Sequence, residues 1–364
     1  MPRRGVATGA AIALLATLTA CLGAGSAPAT TASRTRHALG FSNEAEVVMG
    51  TLTSPPTRSF LGRIRNGKMA GVLFLGNDWL TRSKVRHITA ELQRAACTRG
   101  EPLLVALDQE GGIVKRLSWA PPTEAPADMK GTSDAHAQAA GAAKALRQSG
   151  VDIDFAPVVD TPSSPNNFLG SRAFSDSRTW NAAMAKAFVR GLQQNGVAAT
   201  AKHFPGLGLA GGNTDNGQIT INASKAKIEP GLLPLQAAID AGIKLVMVNT
   251  AIYPKLDASR KPAAFSSKII NGILRGQLGF KGVTVTDSLT AHAPDAIPHA
   301  ATKAMLSGSD LLIWCAESAA ERGYATLVAD APGSAHLRTR LAEAAGRIRA
   351  LKTWLTAHGG PSCG

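Results

Sequence analysis

Eight short apolar runs rich in Val, Ile and Leu recur along the chain, at 46–49, 71–75, 103–107, 151–156, 197–201, 243–248, 282–286 and 310–314. They do not alternate apolar with polar positions, which is the pattern of strands buried on both faces. Longer stretches with helical spacing lie among and after them, at 81–97, 133–148, 180–194, 232–241, 267–278, 299–306 and 337–355. In 180–194, Met184, Phe188 and Leu192 fall on one stripe. Buried strands that feed crossover helices predict an α/β fold, a single-domain (β/α)8 TIM barrel. A doubly wound sheet is the rival, but it rarely carries so many strands. No Gly-x-Gly-x-x-Gly follows the first run, so the dinucleotide-binding fingerprint is absent.

The ends of the chain read differently. Arg3 and Arg4 precede an apolar run from Ala10 to Leu18, and Leu18-Thr19-Ala20-Cys21 closes it. A charged start, a short apolar core and small residues describe an export signal over 1–20, too short to span a membrane comfortably. A cysteine at the cut predicts lipidation at Cys21 and anchoring on the outer face of the cell membrane. Cleavage near Ala27 with secretion is the alternative. Residues 21–40, rich in Ser, Ala, Thr and Gly, predict a flexible tether. The folded domain is expected over 41–358, with a short tail at 359–364.

Charge narrows the partners. The formal net charge is +14, and removing Arg3 and Arg4 with the signal leaves +12. Such a balance favours anionic surfaces. The basic residues are scattered and aromatics make up only 5%, so stacking on single-stranded nucleic acid is not expected. Besides Cys21, the three cysteines Cys97, Cys315 and Cys363 allow one bridge in an oxidising compartment. Cys315 follows an apolar run and reads as a buried thiol. No pair has metal-ligand spacing, and no metal or cofactor is expected.

The polar residues cluster where strands end. The third run leads into Asp108-Gln109-Glu110-Gly111-Gly112, and the fourth leads toward Asp160, Asn166, Asn167 and Arg172. The fifth ends in Lys202-His203, the sixth at Asn249 and the seventh at Asp287. In a barrel of this kind these ends share one rim, where chemistry sits. Each has a plainer reading: Asp287 could cap the next turn, and Asp154, inside the fourth run, could be a structural partner or face a helix. Together, carboxylates that accept hydroxyl hydrogen bonds and cations that donate to oxygens suit a polar ligand such as a sugar.

These residues carry a resemblance. Asp108-Gln109-Glu110-Gly111-Gly112-Ile113-Val114-Lys115-Arg116 resembles the DQEGGxVxR motif of glycoside hydrolase family 3, and Lys202-His203-Phe204-Pro205-Gly206 its KHFPG motif. Gly170-Ser171-Arg172-Ala173-Phe174 is similar to its GxRSF segment, and Val285-Thr286-Asp287-Ser288-Leu289 to the segment bearing its nucleophile. Order and spacing agree over 45–350, and the nearest branch is the single-domain β-N-acetylhexosaminidases of cell-wall glycans. The resemblance implies a retaining exo-glycosidase acting as a monomer on a terminal β-linked sugar, N-acetylglucosamine among the candidates. It assigns sugar binding to Asp108, Arg116, Arg172, Lys202, His203 and Asn249, the last standing where relatives often carry His. It makes Asp287 the nucleophile.

One segment departs from the family. Where relatives present an Asp-Ser/Thr-His loop with His as acid/base, this chain reads Asn213-Thr214-Asp215. Either Asp215 replaces the His, since paired carboxylates are the commoner glycosidase solution, or catalysis is lost and the chain is a glycan-binding lipoprotein. A β-glycosidase with a different sugar preference is the third reading.

Overall fold

A computed structural model describes residues 40–76, 80–164, 166–290 and 297–363. The expected signal, Cys21 and all of the tether before Gly40 lie outside the described residues. Seven strands form one parallel sheet: β1 Met49–Leu52, β2 Gly71–Phe74, β3 Leu104–Leu107, β6 Ile153–Asp154, β7 Ala198–Phe204, β8 Leu245–Val248 and β9 Val283–Thr286, in that spatial order. Isolated parallel bridges join Leu311 to Val285 and Leu312 to Val48. The arrangement is a TIM-barrel-like α/β fold, with the strands buried and helices packed outside. Hydroxyl caps start several helices: Thr81 Oγ1 accepts from Lys84 N, Ser177 Oγ from Trp180 N and Ser334 Oγ from Leu337 N.

Four of the eight expected runs become strands within one or two residues, the eighth, at 310–314, makes only the two isolated bridges, and three differ for visible reasons. The first begins at Met49, because Ser42 caps a helical turn over Asn43–Glu46 and buried Glu46 pairs with Lys352 at 2.7 Å. Gly50 belongs to this strand, where a Cβ would meet Met69 Sδ at 2.5 Å. The fourth shrinks to two residues. There the side chains of Asp152 and Asp154 accept the amides of Val105, in β3, and Gln109, two residues past its end, at 3.0 and 2.9 Å. Asp154 is thus a structural partner. The fifth extends to Phe204, so Lys202 and His203 lie inside a strand rather than after it.

Helices Arg58–Arg65 and Glu317–Asp330 were not anticipated. Nor was the hairpin of β4 Gln109–Gly111 and β5 Val114–Lys115, which turns through Gly111 and Gly112 at φ of 99° and 57°. A side chain on Gly111 would meet the carbonyl oxygen of Glu124 at 2.3 Å. Cys97, at the end of helix Arg82–Cys97, is bonded to Cys363 in the tail, with Cα atoms 5.2 Å apart.

Candidate active site

β3 and β7 stand two places apart in the sheet, and their carboxyl ends deliver the most strongly coupled charges in the pocket. Lys202 Nζ lies 2.7 Å from Asp108 Oδ1 and 2.6 Å from Glu110 Oε1. Arg116 reaches Asp108 Oδ2 at 3.2 Å. Arg172 grips Glu110 bidentately, with both contacts at 2.8 Å. Glu110 and Lys202 are buried, and buried charge persists only when paired in this way.

Burial alone would push the Asp108 carboxyl up, but Lys202 and Arg116 outweigh it and hold Asp108 down at about 2. Glu110 is likewise held below the carboxylate range, by Lys202 and Arg172 against burial. For Lys202, burial disfavours the cation, and the two carboxylates more than restore it, raising its pKa. The unit is a rigid, fully charged cradle of donors and acceptors, suited to hydroxyl groups.

His203 is fixed by Asp160, whose Oδ2 lies 2.7 Å from Nδ1 and accepts the His203 amide at 3.1 Å. The other Asp160 oxygen accepts the amide of Leu207 at 2.7 Å, so one buried carboxylate orients both the ring and the start of the following loop. That loop carries Asp215. Asn213 Oδ1 accepts the Asp215 amide at 3.0 Å, and Asn213 Nδ2 donates to Asp215 Oδ2 at 3.2 Å. Asp215 is exposed but lines the pocket.

Asp287 follows β9. Its amide donates to Val248 O at 2.8 Å, and its Oδ1 accepts the Ser288 amide at 2.8 Å. The turn-capping bond is therefore made, and the carboxyl also faces the pocket. Burial raises the Asp287 pKa; His203 opposes this and Asp215 reinforces it.

The pocket encloses about 180 Å³ and brings together Asp108, Glu110, Arg116, Arg172, Lys202, His203, Asp215 and Asp287. This is below the roughly 300 Å³ at which pockets for drug-sized ligands begin, so it suits a single ring. Its apolar walls, including Leu73, Phe155, Phe168 and Met247, were not singled out in the sequence. Apolar residues at strand ends look like any other core residue there.

Two expectations are corrected. Asn249 does not line the pocket. Its Nδ2 donates to His203 O at 3.0 Å and Tyr253 Oη at 2.8 Å, and its Oδ1 accepts Ala251 N at 2.9 Å, all without exposure. Asn249 braces the strand behind His203, and Asn167 similarly holds loop carbonyls of Gly208 and Ala210. Cys315 is not a buried thiol: it is free, exposed and part of the pocket lining. The chain breaks from the 311–314 run there, and the Cys315 amide is met by the hydroxyls of Ser288 and Thr290 at 3.1 and 2.8 Å.

Residues 50–351 match the model of the glycosyl hydrolase family 3 N terminal domain. Among curated proteins, a beta-hexosaminidase of Stenotrophomonas maltophilia is 34% identical over 282 residues, 74% of this chain and 82% of that protein. One from Xanthomonas oryzae pv. oryzae is 37% identical over 254 residues, 66% and 73% of the two chains. Among solved structures, the beta-N-acetylhexosaminidase of Beutenbergia cavernae superposes with a TM-score of 0.80 at 31% identity, covering 85% of this chain and 97% of that one. A family 3 beta-N-acetylglucosaminidase from Paenibacillus gives 0.81 at 29% identity, covering 88% of this chain and 63% of the other.

Proposed function

The chain belongs to glycosyl hydrolase family 3, and from that membership we propose a retaining exo-glycosidase that removes a terminal β-linked N-acetylhexosamine, with Asp287 as nucleophile and Asp215 as acid/base. It is a glycosidase of the β-N-acetylglucosaminidase-like kind. A binding-only role, raised by the altered loop, is not favoured by these relatives.

One observation carries the mechanism: two carboxyl groups from separate loops face one sugar-sized pocket walled by a paired charge cradle. Asp108, Arg116, Arg172, Lys202 and His203 hold the ring hydroxyls. The Asp287 carboxylate attacks the anomeric carbon while Asp215 gives its proton to the departing glycosidic oxygen. The bond to the leaving sugar breaks and a glycosyl ester on Asp287 forms. Asp215, now a carboxylate, takes a proton from water, whose oxygen attacks the same carbon and frees Asp287. Retention needs the two carboxyls roughly 5–5.5 Å apart with substrate bound, and the glycine-rich loop of Asp215 supplies the reach by closing.

The same membership supports reading 310–314 as the eighth strand of a closed (β/α)8 barrel, with 41–358 as one catalytic domain. Export, lipidation at Cys21 and action on cell-wall glycans complete the proposal.

A panel of aryl N-acetylglucosaminides tests it. Asp287→Ala should abolish turnover throughout. Asp215→Ala should cost ~100-fold or more on poor leaving groups and spare the first step on activated ones, where azide should restore turnover. Natural-glycan turnover by Asp215→Ala equal to wild type would refute its role.

A further inference from the structure

We propose that Asp154, which does not line the pocket, is a positioning residue: it anchors the backbone between the two carboxylates that grip Lys202, and sugar affinity depends on it. This rests on the glycosidase reading above.

The ladder between β3 and β6 runs out just where the site begins. Phe155 N donates to Leu107 O at 2.8 Å, and the carbonyls that follow, of Ala156 and Pro157, turn the other way to accept Thr200 N and Lys202 N of β7 at 2.9 and 3.2 Å. The next β3-side amide, that of Gln109, would be left buried without a backbone acceptor. Asp154 Oδ1 takes it at 2.9 Å. Gln109 is itself fully buried and its side chain is spoken for. Its Oε1 accepts Leu117 N at 2.9 Å, and its Nε2 donates to Leu117 O and Pro121 O at 3.1 and 2.9 Å. Gln109 is thus a pivot held at the backbone by Asp154 and at the side chain by the following loop. Its neighbours on either side, Asp108 and Glu110, are the residues whose oxygens meet Lys202 Nζ.

Asp152 provides an internal comparison. It stands two residues earlier, just before β6, and it makes the same kind of bond to Val105 N, in the apolar body of β3. Both aspartates replace ladder bonds and both are buried, yet only Asp154 holds an amide that sits between two pocket residues. The second oxygen of Asp154 has no hydrogen-bond partner, and the charged groups acting on Asp154 are Lys202, Asp108 and Glu110. Burial holds its proton on up to about 8. Above that pH a third carboxylate forms behind the cradle and repels Asp108 and Glu110, although its bond to the Gln109 amide is kept.

The experiment compares Asp154→Ala, Asp154→Asn and Asp152→Ala with wild type. It measures KM and kcat on an activated aryl N-acetylglucosaminide from pH 6 to 9.5, and the affinity for N-acetylglucosamine by calorimetry. Asp154→Ala leaves a buried amide unmet, and should raise KM and the sugar Kd by about tenfold or more, with kcat changed less. Asp154→Asn keeps the acceptor oxygen and should restore near wild-type KM, while losing the rise in KM above about pH 8. Asp152→Ala should be destabilised but keep wild-type KM. A wild-type KM in Asp154→Ala, or an equal rise in Asp152→Ala, overturns the proposal. Should Asp154→Ala fail to fold, an alkaline limb retained in Asp154→Asn overturns it. A wild type that hydrolyses nothing would sink the glycosidase reading instead, and the sugar Kd of the variants would still decide the role of Asp154.

Discussion

Replacing Lys202 with methionine removes the cation shared by Asp108 and Glu110 while keeping the length of the chain that fills the pocket floor. Asp108 is held at about 2, against an ordinary value of 3.8. At ~1.36 kcal/mol per tenfold change in proton affinity, this is worth roughly 2 kcal/mol at neutral pH. Part survives in the variant, because Arg116 stays at 3.2 Å. Glu110 loses a 2.6 Å partner and keeps Arg172. The two carboxylates together should cost the variant about 3 kcal/mol, the lower end of the range for breaking a buried pair. The sign of the pH dependence follows from the depressed values. Such a carboxylate contributes stability above its unfolded pKa, and the contribution disappears as pH falls through its folded pKa. Wild type therefore loses this term between about pH 4 and pH 2, the window set by Asp108. Lys202→Met has already lost most of it, so the gap between the two proteins should be full at pH 7 and narrow steadily below pH 4. Urea unfolding followed by fluorescence of the five tryptophans, at pH 7, 5 and 3.5, measures it. A gap that stays constant over that range, or a variant as stable as wild type at pH 7, would refute the coupling of Lys202 to these carboxylates.

Cys315 should react slowly with iodoacetamide at pH 7 and faster toward alkaline pH, because the pocket walls beside this exposed residue desolvate its thiolate and, with Asp287 and Asp215, raise its pKa. Alkylation should block turnover and N-acetylglucosamine should protect, as followed by mass spectrometry and activity; complete labelling without loss of activity counts against its place in the pocket. Cys21→Ala should release the exported protein from membranes, checked by fractionation. An unlipidated mature terminus beyond Cys21 in the native protein would contradict the anchor.

The cradle was readable in the sequence because Asp108, Arg172, Lys202 and His203 are polar residues at or beyond the ends of apolar runs, an expensive placement that function explains best. What escaped was direction. Asn249 sits at an equally suggestive strand end, yet its amide turns back to Tyr253 and the His203 carbonyl, and partners 4 and 46 residues away leave no periodic trace. Glu110 stands in a recognisable motif, but its depth depends on a hairpin set by Gly111 and Gly112. The first apolar run starts three residues before its strand because Val47 and Val48 extend it, while the cap from Ser42 that makes Asn43–Glu46 helical is a local polar contact. Glu317–Asp330 escaped because its alanines and glycine blur the apolar stripe that marks other helices. Cys315 follows an apolar run, and nothing in that run announces that the chain breaks outward at its end.

The bond between Cys97 and Cys363 turns the polypeptide into a lariat. Asp108, Glu110, Arg116, Arg172, Lys202, His203, Asp215, Asp287 and Cys315 all lie within its noose, and the segment before Cys97, which carries β1 and β2 as well as Cys21, is the rope. A protease that nicks any single loop within the noose opens the ring without shedding a piece, so each charged member of the pocket stays on one molecule. A cut in the rope before Gly40 leaves β1, β2 and the noose together on one piece. The topology demands an oxidising compartment for its closure, and chain made in a reducing one would carry the same residues on an open string.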